Sequence, residues 1–436
     1  MPRALFLLVL VLVLIAAARS FLPQETSLVG SGGALAFGFV LLAALESGTI
    51  VSGFRMPRLT GYLACGFLAG PSVANFVTER MLVDLKLVNN VAIALIALAA
   101  GSELNLKKLR PRLRAILSTG TISLVLAVIL IAVGAFLLSR FLPFMDGMSL
   151  KERAVVSLVM GVVLAALSPT VVLAILGETG AAGPISETIL GLVVLGDLVI
   201  IFAFAGVSAL ANATFATAGA GGGGVTELFV HIFGSIAVGL VLGVVFWAYL
   251  KRDTQRVALF VFAICFVSAE VGTRLHLDPL LMCLAAGLFI ENFTDIEGQK
   301  LIHDIEIASV PVFALFFAVA GAGLHWHVFR EVAPIALVLA TIRAIALVVG
   351  SRIGMALGQV PPEHRKTIPY GLLSQSGIAI GLAILVKKTF PGWGDGASAC
   401  LLGGVMLNEV VGPVLFRMAM MRTDEAGRRA VVAGGH

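Results

Sequence analysis

Residues 163–176 read VLAALSPTVVLAIL, an apolar run that would continue as one helix but for Ser168-Pro169-Thr170 at its centre. Proline has no N–H to donate and its ring clashes with the carbonyl one turn back, so a helix through this stretch must open near residue 165. In hydrocarbon the freed backbone groups have no water to bond to, so the opening is tolerated only where they face protein, a cavity or an ion. A lone Pro is most simply a kink that shapes packing. Residues 370–385, YGLLSQSGIAIGLAIL, carry a second interruption, Ser374-Gln375-Ser376-Gly377, at a comparable place in the second half of the chain. Paired interruptions in matching helices of two halves point to a transporter fold with its binding site near the bilayer midplane.

The composition agrees. Of 436 residues, 59% are hydrophobic and 13% charged, with a mean hydropathy of +1.05, which excludes an ordinary soluble globular domain. The expected fold class is an all-α polytopic membrane protein. A net charge of +5 is read as basic loops beside a bilayer, with no nucleic-acid partner. Cys65, Cys265, Cys283 and Cys400 show no C-x-x-C spacing and read as packing residues. No motif calls for a cofactor or a metal, and no H-E-x-x-H, G-x-S-x-G or paired-carboxylate motif suggests an enzyme.

Residues 1–22 form a signal peptide or an extra transmembrane helix, the two readings being even. Beyond them about thirteen spans are predicted at 30–53, 58–77, 86–103, 113–138, 152–176, 183–210, 225–250, 256–273, 277–293, 306–322, 332–357, 367–388 and 397–420. The basic clusters at Lys107 to Arg114, at Lys251, Arg252 and Arg256, and at Arg365 and Lys366 fall on one side by alternation. That side is expected to be the cytoplasm, with the 422–436 tail in it. The uncharged linker ANATFATAGAGGGG divides a 30–421 transmembrane domain into halves 30–211 and 225–421.

Within LVVLGDLVII, residues 192–201, Asp197 is a single carboxylate in a run long enough to span. An intramembrane acid marks a functional site by default, and such a group can hold a proton or a cation but not both. The bland alternative is a buried acid tied to a basic partner or to backbone donors. Arg343, deep in VLATIRAIALVVG, either pairs with Asp197 or satisfies carbonyls at a broken helix. Glu103, Glu270, Arg274 and Glu409 are read as lying nearer span ends, where snorkelling explains them. His325 and His327, beside Trp326, read as an interfacial loop rather than a metal site.

These stretches resemble the monovalent cation:proton antiporters, in particular the Kef-type and bacterial sodium:proton exchanger branch, over about 55–415. RLTGYLACGFLAGPS is similar to the family's early Gly-rich helix, IALAAGSELNLKKLR to its Gly-x-Glu segment before a basic loop, and ALSPTVVLAILGETG to its first broken helix. ILGLVVLGDLVIIF resembles the ion-binding helix, FFAVAGAGL its Gly-containing ninth span and LNEVVGPVLF its last helix. The resemblance implies exchange of Na⁺ or K⁺ for protons by an elevator-like movement of a core bundle against a scaffold bundle that forms a homodimer. It implies a multi-pass location in a cell membrane, the inner membrane of a bacterium. Asp197 is then the ion-binding acid, Ser168 and Thr170 sit at the first break, Gln375 is near the second, and Arg343 compensates charge. One departure is Gly196, where the family usually has Asp, Asn or Gln. A single acid predicts electroneutral exchange of one cation for one proton. The alternatives are a sensor or regulatory module that kept the fold and lost transport, and a carrier of small organic anions on a similar scaffold.

Overall fold

The computed structural model describes residues 31–428 apart from 55, 104, 216–222, 253–256, 276, 295–310, 324–325 and 376. The expectations for residues 1–22 and for His325 fall outside the described residues, as do the side chains of Glu103 and His327. Among the described residues every regular element is helical.

In chain order the principal helices are α1 (Ser31–Ser52), α2 (Arg58–Ala69), α3 (Lys86–Glu103), α4 (Leu113–Leu137), α5 (Leu150–Ala165), α6 (Pro169–Thr179) and α7 (Pro184–Phe215). There follow α8 (Gly223–Leu250), α9 (Val257–Leu275), α10 (Pro279–Phe293), α11 (Pro311–Ala322) and α12 (Trp326–Leu357). The last are the short α13 (Ile368–Gly371), α14 (Gly377–Thr389) and α15 (Gly394–Met420). Among the described residues 6 stretches are long and apolar enough to cross a membrane: Arg110–Phe141, Leu150–Thr179, Pro184–Phe215, Phe233–Leu250, Val332–Leu357 and Gly394–Met420. The predicted span at 58–77 is shorter, because Gly70 turns the backbone extended before Pro71 and ends α2 at Ala69. The predicted spans at 152–176 and 367–388 are each split in two.

The chain forms two compact units. The first takes residues up to Glu103 and Gly234–Trp326. Within it α3 packs on α10 through reciprocal glycines: a Cβ at Gly101 would lie 2.2 Å from the Leu284 carbonyl oxygen, and one at Gly287 2.4 Å from that of Leu98. Small residues let membrane helices approach this closely where aqueous hydrophobic force is absent. Around the seam cluster Leu95, Phe246, Val261, Ile264, Cys265 and Cys283, so these two cysteines do pack as apolar residues. Asp278 caps α10 by accepting from Leu280 N at 2.8 Å, with Pro279 at the first helical position.

The second unit takes Leu104–Phe233 and His327 onward. Here Gly350 and Gly354 of α12, with Gly358 just past its end, form a stripe against α4, where a Cβ at Gly354 would meet Thr119 Cα at 2.5 Å. A capping box starts α5: Ser149 accepts from Glu152 N, and the Glu152 carboxylate accepts from Ser149 N. Arg112, in the basic segment, pairs with Glu187 in the first turn of α7. The chain beyond α15 folds back. Glu425 is buried, and its carboxylate accepts from Ile185 N, Ser186 N and Ser186 Oγ at 2.7, 2.9 and 2.7 Å. Gly427 N donates to Thr179 O. The C-terminal segment thus buckles the turn that joins α6 to α7, using a carboxylate at a helix N-terminus.

Candidate functional site

The first break lies wholly within the second unit. Helix α5 stops at Ala165, Ala166 and Ser168 are extended, and α6 restarts at Pro169, where a missing N–H costs nothing. Ser168 is the N-cap of α6: its Oγ accepts from Val171 N at 3.2 Å and lies 3.0 Å from Thr170 Oγ1. A positive φ of 58° at Gly180 ends the half-helix.

Opening the helix frees carbonyls, and two side chains collect them. Arg343 is fully buried, and its Nε donates to Leu164 O at 2.7 Å, its Nη2 to Ala166 O at 2.9 Å and to Leu372 O at 3.3 Å, and its Nη1 to Leu373 O at 2.6 Å. Leu372 and Leu373 begin the second break, between α13 and α14. One guanidinium therefore satisfies both interruptions, a use that its planar array of five donors permits. Gln375 does likewise: its Nε2 donates to Leu164 O at 2.8 Å, while its Oε1 accepts from Asn408 Nδ2 of α15 at 2.9 Å. Of the two roles open to Arg343, bonding of carbonyls is the one its hydrogen bonds display.

Asp197 sits on α7, 4% exposed, and its Oδ1 accepts from Leu167 N at 3.1 Å, inside the first break. The acid is thus bonded to the residue directly before Ser168. A Cβ at Gly196 would lie 2.7 Å from Leu167 Cδ1, the movable end of a side chain. The same leucine's N–H binds Asp197. The structure brings Asp197, Ser168 and Thr170 together at the first break and joins Gln375 to that break through Leu164 O. Ser376 lies outside the described residues.

One reading is corrected. Glu409, expected nearer a span end, lies mid-way along α15 and is 1% exposed, and among the described residues neither carboxylate oxygen has a hydrogen-bond partner. Its place at the centre of a long apolar helix was visible in the sequence, and snorkelling cannot reach water from there. Glu270 and Arg274 do form an exposed i,i+4 ion pair at the end of α9, as a span terminus allows.

A helical membrane chain in which two interrupted helices share one arginine, and in which a buried acid is bonded into the first interruption, has the construction of a secondary transporter. The family described as "Sodium/hydrogen exchanger, transmembrane" matches residues 37–423, and the chain belongs to that family. The family is one of membrane transporters, not of enzymes. Among solved structures, the fold is similar to that of the sodium proton antiporter MjNhaP1 from Methanocaldococcus jannaschii at pH 8, with 15% identity, a TM-score of 0.66, and coverage of 89% of this chain and 98% of that one. An electron-microscopy map of the same archaeal protein gives a TM-score of 0.70 at 14% identity, covering 89% of this chain and 96% of that one. A search of curated proteins found no significant match.

Proposed function

We propose that this chain is a secondary active antiporter that exchanges Na⁺ or K⁺ for protons, with Asp197 as the shared site. The observation that carries the reading is the buried Asp197 carboxylate, 4% exposed and bonded to Leu167 N within a helix break. Burying a lone charge is costly, so such a carboxylate is neutralised by a proton or a cation. The two then compete for one site, and competition is what couples their opposed movements. The hydroxyls of Ser168 and Thr170 supply neutral oxygens beside it, Gln375 fixes the geometry of both breaks, and Arg343 offsets the negative charge when neither ligand is bound.

The movement we propose is elevator-like, the unit that holds all five of these residues travelling against the other unit, which forms a homodimer. About thirteen spans in a bacterial inner membrane, with a cytoplasmic C-terminus, complete the reading. The test is reconstitution of the full chain in proteoliposomes and measurement of proton movement on addition of Na⁺, K⁺ or Li⁺. Dequenching of a pH dye by one of these cations is expected, and its absence for all three overturns the reading.

A further inference from the structure

We infer that Asn408 is a positioning residue for transport: it acts through Gln375 to hold the first break in the form that seats Asp197. The inference rests on the antiporter reading of Asp197. In LLGGVMLNEVVGPVL, residues 401–415, Gly404, Asn408 and Gly412 recur at every fourth position and so share one face of α15. A Cβ at Gly404 would lie 2.9 Å from the Leu164 side chain, beside the first break, and one at Gly412 2.7 Å from Ser374 Cα, in the second. Helix α15 is therefore seated across both interruptions. Asn408, 7% exposed, lies midway between the two points of contact. Asn is a poor residue for a helix interior, and burying its amide is costly unless the amide is hydrogen-bonded, so its place in this apolar run is set by its bonds.

Those bonds run in one direction. Asn408 Nδ2 donates to Gly404 O at 2.9 Å and to Gln375 Oε1 at 2.9 Å, and Gln375 Nε2 donates onward to Leu164 O at 2.8 Å. Backbone carbonyls only accept, so the two at the ends of this relay decide which way both amides face. Both N–H bonds of Asn408 are used. A Gln375 amide turned over would set its oxygen against Leu164 O and its NH2 against the NH2 of Asn408, and its bond between the breaks would be lost. Asn408 holds it the right way round. Leu164 O also accepts from Arg343 Nε, and three residues further on Leu167 N donates to Asp197 Oδ1. The extended stretch that presents Leu167 to the acid is thus anchored at one end by a bond that Asn408 orients.

The test is a double-mutant cycle on the full chain in proteoliposomes, with initial exchange rate measured against the concentration of Na⁺, K⁺ or Li⁺, whichever drives exchange in the wild type. Asn408→Leu and Gln375→Met keep approximate size and remove the amides, so both are expected to fold. Each should raise the apparent KM for the cation about threefold to tenfold, the span of one net hydrogen bond. The double variant should match Gln375→Met alone, because a residue that acts through Gln375 then has nothing to act on. A second readout is the cation concentration that half-maximally raises the melting temperature of the purified protein, which reports binding even in a variant that transports slowly, and it should follow the same pattern. A merely structural role for Asn408 would instead give two effects that multiply in the double variant. That result, or a KM in Asn408→Leu equal to the wild type, overturns the inference and leaves antiport standing. Absence of any cation-driven proton movement in the wild type overturns the antiporter reading and the inference with it.

Discussion

The backbone N–H of Leu167 donates to Oδ1 of Asp197 across 3.1 Å, joining the opened part of one helix to the acid of the next. Without the break at Ser168-Pro169 that N–H would belong to a helix ladder. The interruption thus creates a donor as well as the freed carbonyls that Arg343 and Gln375 take up. The bond to Asp197 and the opening of the helix are one construction.

Asp197→Asn follows directly. The amide oxygen still accepts from Leu167 N, so the variant should remain monodisperse and melt near the wild type. It cannot ionise, so cation-driven proton movement in proteoliposomes should be lost. Exchange at the wild-type rate in this variant would remove Asp197 from the mechanism.

Ser168 and Thr170 test a capping hydroxyl against a proposed ligand. Ser168 caps α6, and losing a cap costs about 1 kcal/mol, so Ser168→Ala should lower thermal stability measurably. Thr170 Oγ1 lies 3.0 Å from the Ser168 hydroxyl, and Thr170→Ala should raise the apparent KM for the cation, since water replaces a neutral ligand only in part. A change in maximal rate alone would move the site elsewhere.

Arg343 binds carbonyls of both breaks, and hydrogen bonds from a charged donor contribute about 1.5–3 kcal/mol each. Lys keeps the charge but has three donors on one nitrogen, too compact to reach both breaks. Arg343→Lys should lower the melting temperature clearly and slow transport, and Arg343→Ala should lose monodispersity on size-exclusion chromatography. An Arg343→Ala protein as stable as the wild type would show that the carbonyls find water.

How much of this was legible follows the chemistry. The first break announces itself through Pro169, whose missing donor forces it. The second has no proline in its gap, and only Ser, Gln and Gly mark it, so its place was readable but not its bonds. The carbonyl partners of Arg343 were one of two open readings, because backbone acceptors carry no residue signature. Gly196 was legible as a departure from the resemblance, and the leucine beside it was not. Glu409 was misjudged by attention to span ends rather than to its central place in a helix of 27 residues.

The C-terminal buckle gives a prediction independent of transport. Glu425→Ala leaves the N–H groups of Ile185 and Ser186 without their acceptor, and an unsatisfied buried donor costs about 1–3 kcal/mol. Hydrogen–deuterium exchange should rise at residues 185–187 in this variant. Truncation after Arg422 should reproduce it. Unchanged protection in both would mean that other contacts hold the start of α7.

The last prediction concerns pH, and its sign comes from the competition proposed at Asp197. A proton on the carboxyl excludes the cation, so lowering pH reduces the fraction of carriers open to cation. Once protonation dominates, each pH unit removes about nine-tenths of the remaining ionised acid, and the apparent KM for the cation should rise about tenfold per unit. Saturating cation displaces the proton, so the maximal rate should change far less than KM over the same range. The opposite pattern, a constant KM with a rate that falls as pH drops, would mean that proton and cation bind at separate groups. The measurement is initial exchange rate against cation concentration at several symmetric pH values in proteoliposomes. Glu409→Gln should keep the KM slope, because Glu409 lies outside the shared site, while Thr170→Ala should displace the whole KM line upward without altering its slope.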